Sequence, residues 1–136
     1  MQLQLTLYQI SRKLNRMQKK TLVLGASLKE DRYSFKVINK LKENSIPVVA
    51  FGLRKGKVAA ITVDTEMIPY KNIDTVTLYL NPKRQEEYYN YIISLQPKRV
   101  IFNPGTENTD FVKLLQKNNI ESEVACTLVL LAINQY

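Results

Sequence analysis

Three of the chain's four glycines each stand at the end of a short apolar run, which constrains the fold more than any other feature of the sequence. Gly25 closes the run VLG, Gly52 closes VVAFG and Gly105 closes IFNPG, while Gly56 follows four residues after Gly52. In an open α/β sheet, ligands bind outside the carboxyl ends of the strands, near the point where the strand order reverses. Glycine at such a point lets backbone N–H groups approach a ligand closely. The pattern therefore predicts a phosphate-bearing ligand at one edge of a parallel sheet.

Segments of strand and helix character alternate along the chain, which is typical of a parallel sheet with helices on both faces. The residue types at Ser34, at Asn81 and at Asn108 or Thr109 favour helix N-caps, and Pro82 suits a first helical position. The predicted strands are 21–26, 46–52, 57–63, 75–80, 99–103 and 121–126, and the predicted helices are 34–44, 82–95, one from 108 or 109 onward, and 127–133. The sequence thus predicts the α/β class, with a single Rossmann-like, doubly wound, mostly parallel sheet of five to six strands.

The chain of 136 residues suffices for one such domain. Residues 1–16 lack a strong helical period and are expected to form an N-terminal arm, flexible unless it docks, while residues 17–136 form the domain. No apolar run approaches the roughly 18 to 20 residues that span a bilayer. The single cysteine, Cys126, cannot form an internal disulfide and suits a reducing compartment. We therefore expect a cytoplasmic protein with no membrane partner.

Composition excludes several classes of function. The chain has no histidine, which rules out a Ser-His-Asp triad and a phosphohistidine intermediate, and with one cysteine it is also a poor source of zinc ligands. The net charge is +8, but residues 1–20 hold five bases and no acid, so the remainder is only mildly basic. Because that remainder shows no basic stripe interleaved with aromatic residues, we expect no nucleic-acid partner and no bound metal.

The segment GASLKEDRYS, residues 25–34, joins the first predicted strand to the first helix. In dinucleotide-binding folds this turn holds pyrophosphate on free N–H groups at a helix N-terminus. The G-x-G-x-x-G fingerprint is absent, because Ser27 and Glu30 occupy the later glycine positions. Arg32 can form a bidentate pair with a phosphate. The alternative is that Ser27 and Ser34 are ordinary turn and cap residues and that Arg32 is a solvated charge.

The turn after the second strand is basic. NAD-binding proteins place an acidic side chain here for the ribose 2′-hydroxyl. This chain instead has Arg54, Lys55 and Lys57 between and beside Gly52 and Gly56. Cations favour a phosphate on the ribose, as in NADP or coenzyme A, although an ordinary solvated loop would have the same composition.

Two further segments fall at the same predicted edge and supply four more candidate ligand-binding residues, Asn81, Pro82, Asn103 and Gly105. Asn103 and Gly105 follow the fifth strand, where a Pro-Gly turn that merely reverses the chain is the simpler interpretation. Asn81 and Pro82 follow the fourth strand, where capping is a sufficient explanation. Cys126 ends the last predicted strand. A free cysteine at such a position is more often buried and unreactive than functional.

Taken together, these motifs resemble the small stand-alone CoA-binding domain proteins, which are similar to the CoA-binding domain of the succinyl-CoA synthetase α subunit. The resemblance rests on the strand followed by G-A-S, the R-x-S that follows, the Gly/basic turn, the Asn-Pro that opens the helix after the fourth strand, the strand-N-P-G turn and the late strand that ends in cysteine. It covers residues 20–134. Two positions depart from the family: Gly52-Leu53 stand where Asn-Pro is common, and Thr127 stands where Pro often follows the cysteine.

The resemblance implies a site for each end of the ligand. The pyrophosphate would be held by Gly25, Ala26, Ser27, Arg32 and Ser34. The adenosine end would be held by the turn after the second strand, comprising Gly52, Leu53, Arg54 and Lys55.

We therefore expect non-catalytic binding of coenzyme A or an acyl-CoA, because the edge segments offer amides, cations and hydroxyls rather than groups that transfer protons. Two alternatives stay open: an NADP-type dinucleotide-binding reductase, and a nucleotide-responsive regulator of a protein partner. The sequence leaves the oligomeric state open.

Overall fold

The computed structural model describes residues 4–136, and residues 1–3 of the predicted arm lie outside the described residues. The described chain forms seven strands: β1 (Thr21–Leu24), β2 (Val48–Phe51), β3 (Gly56–Val58), β4 (Ile61–Asp64), β5 (Thr75–Leu78), β6 (Arg99–Phe102) and β7 (Glu121–Val124). Its helices are α1 (Leu7–Met17), α2 (Tyr33–Glu43), α3 (Pro82–Gln85), α4 (Tyr89–Ser94), α5 (Thr109–Lys117) and α6 (Thr127–Ala132), with a 3₁₀ turn, Glu86–Tyr88, between α3 and α4.

The strands form one sheet in the order β3-β4-β2-β1-β5-β6-β7. All neighbours are parallel except the β3–β4 pair. The chain first moves outward from β1 through β2 to β4 and then returns to β5 on the other side of β1, so the strand order reverses between β1 and β5. This is the predicted Rossmann-like, doubly wound architecture.

Helices cover both faces of the sheet, because the strands present apolar side chains on each face. On one face Val23 and Ala50 pack with α2 and with Leu131 of α6. On the other face Leu24, Leu78 and Phe102 pack with the 82–94 segment and α5. The central strands β1 and β5 are buried along their whole length, as is usual for parallel strands covered on both faces. The buried threonines of β5, Thr75 and Thr77, have hydrogen-bond partners for their hydroxyl groups.

The strand count exceeds the prediction because residues 57–63 are not one strand. They belong to an antiparallel hairpin, β3–β4, whose two-residue turn places Ala59 and Ala60 at φ values of 50° and 66°. These are the angles of a type I′ turn, which Asn-Gly usually occupies. Two alanines give no turn signal, so the pattern is indistinguishable from a continuous short strand. The predicted helix 82–95 is likewise interrupted, by the 3₁₀ turn.

The N-terminal arm contains a helix that the sequence pattern does not predict. Thr6 caps α1 through a reciprocal pair of hydrogen bonds with Gln9. No residue of α1 is buried, and its contact with the domain includes a hydrogen bond from Arg12 to Asn134.

The C-terminal residues lie across the opposite, amino-terminal edge of the sheet. The Tyr136 hydroxyl hydrogen-bonds to Thr21, and the Arg99 guanidinium lies 4.4 Å from the centre of the Tyr136 ring. Burial raises the pKa of Tyr136, so its phenol stays protonated. This contact anchors the end of the chain to β1 and β6.

Because α1 buries none of its own residues, we expect deletion of residues 1–16 to change the free energy of unfolding by less than about 0.5 kcal/mol. Tyr136→Ala, by contrast, should cost about 2–4 kcal/mol, since it removes a packed aromatic ring. Urea unfolding followed by circular dichroism measures both. A large loss on truncation alone would mean that α1 packs on the domain in solution.

Candidate functional site

The parallel strands end in one row. Leu24 of β1 pairs with Phe51 of β2 and Leu78 of β5, and Leu78 pairs in turn with Phe102 of β6. The loops that follow these strands therefore start side by side at the carboxyl edge of the sheet. The predicted site residues in these loops are brought to this edge: Gly25, Ala26, Ser27, Arg32, Ser34, Gly52, Leu53, Arg54, Lys55, Asn81, Pro82, Asn103 and Gly105.

The loops after β1 and β2 touch at the backbone. The N–H groups of Gly25 and Ala26 both donate to the Phe51 carbonyl, at 2.9 and 2.8 Å. A Cβ at Gly52 would lie 2.2 Å from the Ala26 carbonyl oxygen, which only glycine avoids. Gly25 has a φ of +95°, where a side chain would be strained. Gly52 is therefore required by the close approach of the two loops, and Gly25 by its positive φ.

Ser34 does not cap α2, contrary to the prediction. The helix begins one residue earlier, at Tyr33, and Arg32 is its N-cap residue without a side-chain capping bond. Ser34 is buried, and its hydroxyl accepts the Ser27 N–H at 3.0 Å. The serine therefore folds the loop back on itself, and the Ser27 hydroxyl completes the turn by accepting the Lys29 N–H at 3.1 Å.

The first turn of α2 keeps its N–H groups available. Among the described residues, no side chain accepts from the N–H groups of Tyr33, Ser34 or Phe35. Such unpaired donors, together with the helix dipole, favour an anion at this end of α2. Arg32 is exposed directly beside them, and it forms no ion pair within residues 4–136.

The basic turn after β2 adjoins this loop. A Cβ at Gly56 would lie 2.8 Å from Leu28, so the start of β3 packs on the β1 loop. Arg54 and Lys55 are exposed on the turn, and Leu53 is 68% exposed. The two sets of cations that the sequence predicts thus lie on loops in direct contact.

The Asn103 side chain forms hydrogen bonds within the protein through both its nitrogen and its oxygen. It is 3% exposed, and its amide nitrogen donates to Thr77 at 2.7 Å and to the Leu78 carbonyl at 2.9 Å. Its oxygen accepts the Thr127 N–H at 2.9 Å, which caps the first turn of α6. The side chain thus joins β5, β6 and α6. The Asn103 carbonyl accepts from the Thr106 N–H and hydroxyl at 2.9 and 2.8 Å, so neither the side chain nor the carbonyl remains for a ligand.

Asn81, Pro82 and Gly105 fill the simpler structural roles that the sequence also allowed. The Asn81 side chain caps α3 by accepting the Arg84 N–H at 2.9 Å, and Pro82 is the first helical residue. Gly105 has a φ of +90° at an exposed turn, where a Cβ would meet nothing within 4 Å. Asn108, rather than Thr109, caps α5.

Gln85 is a residue that sequence reasoning missed. It is fully buried, and its amide nitrogen donates at 2.8 Å to the carbonyls of Leu80 and Thr106. Its oxygen accepts from the Asn108 side chain at 2.9 Å. The loops after β5 and β6 are therefore joined through one side chain. A glutamine on a short helix gives no sequence signal for this role.

Two groups of possible chemical reactivity lie near the edge. Burial raises the pKa of Tyr79 well above its usual value, so its hydroxyl is a hydrogen-bond donor and not a base. Cys126 is half-buried at the N-cap position of α6, two residues beyond the end of β7. The predicted last strand, 121–126, is therefore shorter than expected.

Within residues 4–136, no helix is long and apolar enough to cross a membrane, and no cluster of three metal-ligating side chains is found. The sequence of residues 19–132 matches the family described as CoA binding domain. No match was found among curated proteins.

Solved structures of similar proteins share the fold. An uncharacterized protein is 45% identical, with a TM-score of 0.85, over 87% of this chain and 98% of its own. A hypothetical protein from Pyrococcus horikoshii OT3 is 28% identical, with a TM-score of 0.72, over 92% of this chain and 89% of its own. A protein from Thermus thermophilus is 16% identical, with a TM-score of 0.78, over 97% of this chain and 100% of its own, which supports the fold alone.

We expect Gly52→Ala to destabilise the protein by about 2 kcal/mol or more, because the new Cβ meets the Ala26 backbone and neither strand can move freely. Gly56→Ala is the matched control. Its Cβ meets only the flexible end of Leu28, so the cost should stay under about 1 kcal/mol. Thermal unfolding of both variants measures these losses of stability. Equal losses for the two variants would contradict the close approach of the two loops.

Proposed function

The chain belongs to the CoA binding domain family, and from this membership and the geometry of the carboxyl edge we propose that it binds coenzyme A or an acyl-CoA without catalysing a reaction itself. The binding unit in this proposal is residues 17–136, with the N-terminal arm outside it. Cytoplasmic location is part of the proposal, because the chain's single cysteine suits a reducing compartment. A small-molecule ligand, and neither nucleic acid nor membrane, is the proposed partner.

The observation that carries the proposal is the uncapped start of α2 at the point where the strand order reverses. The free N–H groups of the first turn and the adjacent Arg32 offer charge-assisted hydrogen bonds to a pyrophosphate. The loop itself is preorganised, because Ser34 already fixes Ser27. Gly25 and Ala26 serve the site indirectly, since their N–H groups donate to Phe51.

The adenosine end is proposed to lie on the turn after β2. Gly52 and Leu53 begin this turn, and Arg54 and Lys55 offer cations for a phosphate on the ribose. The pyrophosphate loop and the turn are in contact through Leu28 and Gly56. One ligand can therefore reach both sets of cations.

The same cations fit the 2′-phosphate of NADP, which keeps an NADP-type reductase as the second candidate. A reductase also needs a region that holds its substrate, and the described elements that follow α1 are all used in the sheet and its covering helices. Titration with CoA and with NADPH separates the two functions: the proposal expects CoA to bind and NADPH to bind at least about tenfold more weakly.

Arg32→Ala should weaken CoA binding by about ten- to 150-fold, because a charge-assisted contact to the pyrophosphate is lost. Arg32→Lys should recover only part of the affinity, since lysine cannot form a bidentate fork. Isothermal titration calorimetry measures each affinity.

Arg16→Ala is the matched control for Arg32→Ala, because it removes the same charge from α1, which contributes no residue to the carboxyl edge. Its CoA affinity should stay within about twofold of the wild type. Wild-type affinity in Arg32→Ala would move the pyrophosphate away from this loop.

CoA should bind more tightly than dephospho-CoA, by several-fold to about thirtyfold, because Arg54 and Lys55 are proposed to contact the 3′-phosphate. In the Arg54→Ala, Lys55→Ala double variant this preference should largely disappear while dephospho-CoA affinity is kept. Equal wild-type affinities for the two ligands would remove the 3′-phosphate from the proposal.

A further inference from the structure

Gln85 stands out among the polar side chains of the structure, because it is fully buried and every one of its hydrogen-bonding atoms is used. Both amide hydrogens are directed at backbone carbonyls, those of Leu80 and Thr106, each at 2.8 Å. The side-chain oxygen accepts from Asn108 at 2.9 Å. A buried amide costs free energy unless it is hydrogen-bonded. An apolar side chain would fill the space as well, so the carbonyls are the reason for an amide here.

The two carbonyls that accept from Gln85 determine the direction of the N–H groups in the same peptide bonds. In a planar trans peptide the C=O and the following N–H point in opposite directions. The carbonyls of Leu80 and Thr106 point inward to Gln85, so the N–H groups of Asn81 and Glu107 point away from it. Both of these residues are exposed, and neither N–H has an acceptor among residues 4–136. Because one nitrogen binds both carbonyls, the two peptides lie side by side.

These two donors lie on the side of the carboxyl edge that the nucleotide half of the ligand leaves free. The proposed pyrophosphate loop follows β1, and the basic turn follows β2 on one side of it. Asn81 and Glu107 follow β5 and β6, on the other side of β1. The half of CoA beyond the pyrophosphate must extend toward this second side. That half is the pantetheine arm, whose two amide carbonyls are hydrogen-bond acceptors.

We infer that Gln85 is a positioning residue that holds the N–H groups of Asn81 and Glu107 as donors to the amide carbonyls of the pantetheine arm. This inference rests on the proposed function. The side chain itself does not touch the ligand, since it is enclosed by the two loops it joins. A loss of Gln85 lets both peptides rotate, so the donors lose their fixed direction.

The test compares CoA with 3′-phosphoadenosine 5′-diphosphate (3′-phospho-ADP), which keeps the pyrophosphate and the 3′-phosphate and lacks only the pantetheine arm, by calorimetry. Gln85→Met keeps the volume and removes all three hydrogen bonds. Its Kd for CoA should rise by about five- to twentyfold, while its Kd for 3′-phospho-ADP should change by less than about twofold. A purely structural role would weaken both ligands alike, and that result, or no change for either, overturns the inference.

Asn108→Asp keeps the test decisive if Gln85→Met does not fold. The variant retains the side-chain oxygen that caps α5 but loses the donor to Gln85. The ratio of the two Kd values should shift in the same direction by about two- to fivefold, and an unchanged ratio overturns the inference.

Tyr89→Phe is the control, because it removes the contact of Asn108 with the Tyr89 hydroxyl and leaves all three Gln85 bonds. The ratio of its two Kd values should equal that of the wild type, and a shift as large as that of Gln85→Met contradicts the assignment.

Two wild-type results distinguish this inference from the proposed function. If CoA and 3′-phospho-ADP bind equally, the arm is not held and only this inference fails. If neither binds, the proposed function fails as well.

Discussion

The common register of the parallel strands is the constraint on which the candidate site depends. Because Leu24, Phe51, Leu78 and Phe102 pair across four neighbouring strands, the loops that follow them start from one line. A shift of one residue would exchange the side chains that pack in the two apolar clusters, such as Leu24 on one face and Val23 on the other, so the packing of the core enforces this line. In open α/β sheets, ligands bind near the point where the strand order reverses, which here lies between β1 and β5.

The two sides of this edge differ in how they are built. On the β1–β2 side the backbones touch directly, at Gly52 and Ala26, and the cations extend into solvent. On the β5–β6 side two buried amide side chains, Asn103 and Gln85, fix the loops through hydrogen bonds. The first arrangement suits phosphate groups, whose charge is recognised at several orientations. The second suits a ligand segment recognised by a few directed hydrogen bonds. This division agrees with a ligand that has one anionic half and one amide-bearing half.

Much of the architecture could be predicted from the sequence, because apolar runs that end at glycine identify strands and their ligand-facing ends together. The same logic failed where a local conformation was imposed by tertiary contacts. Ala59 and Ala60 adopt a turn that their residue type does not favour, because the hairpin aligns β4 with β2. Ser34 resembles a cap by composition, yet the structure uses its hydroxyl to close the preceding loop.

Gln85 could not be predicted as a linking residue, since its partners are backbone carbonyls that carry no residue identity. Asn103 was predicted as a ligand residue for the opposite reason: it stands at the right edge, and its position alone does not reveal that its side chain is already paired. Sequence patterns thus located the edge and its cations, whereas the hydrogen-bonded half of the edge required the structure.

The central claim is that CoA binds at the carboxyl edge, across the point where the strand order reverses. An amide-resolved NMR titration of the ¹⁵N-labelled protein with CoA tests it most directly. We predict that the amide signals that move fall in residues 25–35, 52–56, 79–82 and 103–107, while those of α1 and of the amino-terminal edge near Thr21 and Arg99 stay in place. Signals that move mainly at α1 or at the amino-terminal edge, or none that move at saturating CoA, would contradict it.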